Sequence, residues 1–132
     1  MKKPSLLLLL FMIAILFLSC KKDSIALTPA RLILGKWKMV SSITSVGLQY
    51  PSGCNIDDVT EFSVGNQAIF SEGNIKCDPN NPYSSWDYYT IDEAGKTLEF
   101  LYANKTYTIL ELTSTTLKCK VSSLITLNFT KI

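Results

Sequence analysis

Hydrophobic positions in this chain follow two regimes. From Leu6 to Leu18 they run without interruption, with Phe11, Met12, Ile13, Ile15 and Phe17 among them, whereas from Lys36 onward they alternate with polar residues. The first run follows Lys2 and Lys3. It is too short to cross a bilayer as a mature helix but has the length of a signal-peptide core, and small Ser19 closes it. Residues 1–19 are therefore read as a leader and kept out of the fold. The second regime has the period of strands. Between Lys36 and Thr44, Trp37, Met39, Ser41 and Ile43 share one face, while Lys36, Lys38, Ser42 and Thr44 mostly occupy the other. Comparable runs follow at Val59–Ser63, Gln67–Glu72, Ser85–Ile91, Thr97–Tyr102, Lys105–Leu112, Thr116–Val121 and Leu124–Ile132, which makes eight strands. Ahead of them, Thr28 as a cap, Pro29 at the first helical position and Ala30 to Leu34 predict a short helical turn that Gly35 ends.

The links between these runs are short. Gly65 and Asn66, the Asp92 to Lys96 stretch with Gly95, Ala103 and Asn104, Thr113 to Thr115, and Ser122 and Ser123 are all turn formers. Connections this tight join antiparallel neighbours. Eight such strands without covering helices must protect their edges, and rolling the sheet up does so. The expected fold is thus all-β: an eight-stranded antiparallel up-and-down barrel with a short N-terminal helical turn, one domain over residues 29–132. Residues 20–28, with Lys21, Lys22, Asp23 and Ser24, read as a polar tether. Two longer connections, Gly47 to Asp58 and Asn74 to Ser84, are expected as loops.

Two resemblances add to this reading. Cys20 directly after small Ser19 resembles the bacterial lipobox, which implies a diacylglycerol thioether on Cys20, cleavage before it and N-acylation. Several acyl chains on one residue anchor durably, and the expected location is a bacterial outer membrane. The alternatives are an uncleaved anchor or an ordinary signal with a chance cysteine. In the body of the chain, Gly35, Lys36 and Trp37 after a helical turn resemble the Gly-x-Trp that opens the first strand of lipocalins. Cys54 to Asp58 followed by Phe62, then Gly73, Lys76 to Pro79, Trp86, and Tyr107 to Thr113, are similar to small lipocalin-like lipoproteins of bacterial envelopes. The likeness covers most of Gly35 to Val121. It implies a barrel that holds a ligand.

Composition narrows the chemistry. Two of the 13 basic residues lie in the leader, so the remainder balances the 11 acidic ones, and bulk charge attracts no nucleic acid. The chain has no histidine, which removes serine triads and histidine zinc sites. Asp57, Asp58, Asp78, Asp87, Asp92, Glu93, Glu99 and Glu111 alternate with apolar residues or sit in turns, the pattern of a solvated face, and no spacing marks a catalytic pair. Asp78, Asn80 and Asn81 resemble calcium ligands but lack the order of an ion loop, and Pro79 and Pro82 make turn chemistry the better account. No catalytic residue, metal or cofactor is assigned.

Three cysteines remain beyond Cys20. In an exported chain Cys54 and Cys77 are expected to pair. A two-residue turn at Gly65 and Asn66 would set them directly opposite. A three-residue loop from Val64 to Asn66, with Asn66 left-handed, would offset them by one position and require a bulge or loop near Gly73 and Asn74. Cys119 alternates with Leu117 and Val121 and is read as a small interior residue.

The aromatic residues Trp37, Phe62, Phe70, Trp86, Tyr88, Phe100, Tyr102, Tyr107 and Phe129 are assigned to the inner face. They serve either as core or, towards the mouth, as the lining of an apolar pocket. On the pocket reading, Tyr88, Tyr102, Tyr107, Trp86 and Phe70 contact a small apolar or amphipathic ligand that is bound without being transformed. On the other reading the barrel is filled, and its long loops meet an envelope protein or a protease that they inhibit.

Overall fold

The computed structural model describes residues 27–80 and 83–132. Cys20, the leader, most of the tether and Asn81 lie outside the described residues. The order of elements is α1 (Pro29–Leu32), β1 (Gly35–Thr44), β2 (Gly47–Gln49), a 3-10 turn (Gly53–Asn55), β3 (Val59–Phe62), β4 (Gln67–Ser71), β5 (Ser84–Ile91), β6 (Thr97–Phe100), β7 (Lys105–Leu112), β8 (Thr116–Ser122) and β9 (Ile125–Lys131).

The strands form one antiparallel meander, and pairing of β1 with β9 closes it into a barrel. The closed ladder contains the eight expected strands. β2 is a ninth, in a stretch expected to be loop; it pairs as a small hairpin with Ser42–Thr44 of β1, on the edge that β3 pairs lower down at Gly35–Lys38. Thr44 makes that hairpin possible: its hydroxyl donates to the Gly47 carbonyl at 3.3 Å and accepts from the Val46 amide at 3.3 Å.

Register in the β3–β4 hairpin follows the three-residue loop. Thr60 faces Phe70 and Phe62 faces Ala68, while Asn66 is left-handed at φ 61°. The cysteines are therefore out of direct opposition. They meet instead between the 3-10 turn and the β4–β5 loop, where Cys54 and Cys77 form a disulfide across a Cα separation of 5.0 Å.

The barrel has a closed end and an open one. α1 lies across the closed end beside the β5–β6 turn; a side chain at Gly95, which sits at φ 66°, would collide with the Pro29 ring. Thr28 precedes α1 but makes no side-chain cap bond. Holding falls instead to Trp37, fully buried, whose indole donates to the Ile33 carbonyl at 2.6 Å. The Lys131 ammonium donates to the Leu32 carbonyl at 2.9 Å and lies 4.9 Å from the Trp37 ring centroid. Trp37 belongs to a buried cluster with Ile33, Phe62, Leu98, Ile109 and Leu117. The other end is framed by the loops between β1 and β3, β4 and β5, β6 and β7, and β8 and β9.

Candidate binding site

Above the packed end, the inner faces of the strands leave a cavity of about 200 Å³. Thr60, Phe70, Tyr107, Cys119, Leu127 and Phe129 are among the residues that line it. Thr60, Phe70, Tyr107 and Phe129 keep partial exposure, so the cavity communicates with the mouth. The wall is almost wholly apolar. The Tyr107 hydroxyl is its main polar handle, and burial followed by the neighbouring Cys119 raises its pKa above the ordinary value, which keeps the phenol neutral. Cys119 carries a free thiol that burial pushes up to about 12, so it serves as a small apolar surface rather than a nucleophile.

Of the five residues read as ligand contacts, the structure brings Phe70 and Tyr107 to this cavity. It turns the other three outward. Trp86, Tyr88 and Tyr102 are 50%, 40% and 67% exposed and pack on one another edge to face, with centroids 5.4 to 5.6 Å apart. The assignment of these three to the inner face is therefore corrected.

The cause is Asp87, read from sequence as part of a solvated face. Asp87 is only 4% exposed, and its carboxylate oxygens accept the Tyr102 amide at 2.8 Å and the Ala103 amide at 2.9 Å. With Asp87 inside, alternation places Tyr89 inside as well, against Phe62 at 4.9 Å, and sends Trp86 and Tyr88 out. The same bonds end β6 at Phe100 and curl Leu101 to Asn104 into a loop, with Asn104 left-handed at φ 50°. Tyr102 then leaves the strand it was expected to continue. Burial opposes ionisation of Asp87, but the amides of Tyr102, Ala103, Tyr88 and Leu101 outweigh it and hold the carboxyl below its ordinary value.

A second polar corner fixes the loop between β4 and β5. Asp57 accepts the amides of Asn74 and Ile75 at 2.6 and 3.1 Å, and Glu72 accepts those of Cys77 and Tyr83 at 3.1 and 2.9 Å. Gly73 is required there, because a Cβ would run into the Asp57 carboxyl and carbonyl. Asp58 stands beside them with its pKa raised by burial, then by Glu72 and Asp57. Together with the disulfide, this corner ties the loop before β3 to the loop before β5.

No protein-family model and no curated protein matches the chain. Solved structures do. A lipocalin-like protein from Bacteroides uniformis superposes with a TM-score of 0.58 at 11% identity, over 76% of this chain and 99% of that one. An uncharacterized protein from Bacteroides eggerthii does so with a TM-score of 0.56 at 12% identity, over the same shares. The fold is lipocalin-like. In this lipocalin-like barrel, sequence reasoning missed Asp87 and the groove that it creates beside Trp86 and Tyr102. The sequence offered Tyr89 and Ile91 as a competing apolar pair in phase with Asp87, but set against Trp86 and Tyr88 they did not decide the phase.

An asparagine at position 87 would offer a single carbonyl oxygen to the two loop amides. Asp87→Asn should therefore unfold at lower urea than the parent at neutral pH. Because the folded carboxyl lies below 3.8, the parent's advantage is present above that pH and disappears as pH falls through the folded value. Urea titrations down the acid range should show the two midpoints converging; a constant gap would contradict the assigned role.

Proposed function

We propose that this protein is an envelope lipoprotein that holds a small apolar or amphipathic ligand in a lipocalin-like barrel without transforming it. The observation that carries this reading is the apolar cavity of about 200 Å³, open towards the mouth and lined by Phe70, Tyr107 and Phe129. An apolar cavity of about 150 Å³ stays dry and accepts a molecule the size of benzene, so this one suits a single ring or a short chain. Affinity would come from apolar surface removed from water, with the Tyr107 hydroxyl orienting a polar substituent.

The anchor rests on the leader and on Cys20. Pro29 begins α1 at the closed end, so a tether running from Cys20 would reach the barrel there and leave the mouth facing the aqueous side of the membrane. The outer membrane is the proposed location.

Two measurements test the reading. In the first, a neutral apolar dye should bind the folded chain, and Phe70→Ala or Tyr107→Ala should weaken binding more than folding. A loss of about 3 kcal/mol or more of stability at both positions, with no dye bound, would mean a filled core. The barrel would then present its loops, including the exposed Val46 and Leu48 of the β1–β2 hairpin, to an envelope protein. In the second, Cys20→Ser should abolish acylation and leave an unlipidated form with the leader attached or wrongly cleaved. Unchanged mass and membrane attachment would remove the anchor.

A further inference from the structure

The wall of the barrel has a gap. β5 runs from Ser84 to Ile91, yet only Tyr89 to Ile91 pair with β6, because β6 stops at Phe100. Above that point the loop touches β5 through Leu101, whose amide donates to the Tyr88 carbonyl at 2.9 Å, and through the Asp87 latch. On the other side of β5, the Tyr89 amide donates to Asn66 at 2.7 Å. Alternation along an antiparallel ladder then directs the backbone N–H and C=O of Trp86 away from β4 and into the gap.

The gap is a groove of about 480 Å³. Tyr83, Trp86, Tyr102 and Lys105 form its walls, and it shares Phe70, Phe100 and Tyr107 with the barrel cavity, so the two spaces are continuous. Besides the Trp86 backbone, its polar groups include the Tyr83 hydroxyl and the Ser85 hydroxyl, which lie 2.6 Å apart.

Charge decides what such a groove accepts. Asp87 is the only carboxylate among its lining residues; it stays ionised, but its oxygens are turned to the Tyr102 and Ala103 amides. Lys105 is the only cation, and it forms no ion pair with another described residue; the ion pair in the barrel wall is Lys36 with Glu61, on other strands. Lys105 therefore brings to the groove a positive charge that no carboxylate pairs within ion-pair distance among the described residues, flanked by aromatic rings, while the negative charge of Asp87 is engaged by backbone amides. The cavity alone falls below the roughly 300 Å³ at which small-molecule sites begin, whereas cavity and groove together exceed it.

We propose that the groove between β5 and the β6–β7 loop binds the anionic end of an amphipathic molecule, with Lys105 as counter-ion and Trp86 and Tyr102 as its aromatic walls, while the apolar end enters the cavity. This rests on the cavity reading above and names the ligand class for it: an apolar ring or chain bearing a carboxylate, sulfonate or phosphate.

A matched pair of dyes tests it on the purified full chain. 1-Anilinonaphthalene-8-sulfonate carries the anion, and N-phenyl-1-naphthylamine has the same rings without it. Lys105→Gln should weaken the sulfonate dye by about fivefold, the scale of an exposed ion pair, and leave the amine dye unchanged. Lys105→Glu should weaken the sulfonate dye further. Bound sulfonate dye should also quench the exposed Trp86 and spare the buried Trp37. Equal sulfonate affinity in the parent and both variants overturns the groove, and amine binding that still responds to Tyr107→Ala leaves the cavity reading standing. Failure of the amine dye to bind overturns the joint occupancy of cavity and groove, and with it the apolar half of this proposal.

Discussion

The two oxygens of Asp87 accept amides of the β6–β7 loop at 2.8 and 2.9 Å, and the shape of the barrel wall on that side depends on this contact. A buried carboxylate is costly unless hydrogen bonds replace its water. Backbone amides do so here, and the residue becomes a fixed inward point on β5. Three consequences follow from that point. β5 adopts the phase that buries Tyr89 and exposes Trp86 and Tyr88; β6 stops at Phe100; and the loop curls outward, carrying Tyr102 to the other two aromatics. A continuous β5–β6 ladder would have sealed the wall that now opens as a groove.

The two ends of the barrel use different physics. At the closed end the stabilisation is burial: Trp37 fills the space under α1, and its one polar atom is matched by the Ile33 carbonyl. Little there can rearrange, because dense packing penalises any change of volume. At the mouth, the long connections carry few buried residues and are held by Asp57, Glu72 and the Cys54–Cys77 bridge. A cross-link closing a loop of this kind typically contributes about 2 to 4 kcal/mol, chiefly by restricting the unfolded chain. Rigid rim and partly empty interior are compatible because the rim is tied through its backbone amides, which leaves the inner side chains free to meet a ligand.

Much of this fold was legible in the chain. Period-two alternation located the eight barrel strands, because each has one wet face and one dry face, and Asn66 in a three-residue loop set the β3–β4 register. The limit lay where alternation was ambiguous. In Ser85 to Ile91 one phase offers Trp86 and Tyr88 and the other offers Asp87, Tyr89 and Ile91, and hydrophobicity alone favours the first. The second prevails because the loop amides that satisfy Asp87 come from Tyr102 and Ala103, a long-range partnership that no local pattern records. β2 escaped for a related reason: it is short and exposed and exists through pairing with the end of β1. The site was therefore half legible, with Phe70 and Tyr107 brought to the cavity and the three other aromatics displaced to the groove and the outer wall.

The Asp87 latch can be observed directly by following the backbone amide resonances of Tyr102 and Ala103 in an acid titration of the isotopically labelled protein. If one carboxylate holds both amides, the two signals lie downfield at neutral pH and move together, with a shared midpoint below 3.8 that is absent in Asp87→Asn. Separate midpoints, or a shared one at or above the ordinary carboxyl value, would contradict the account.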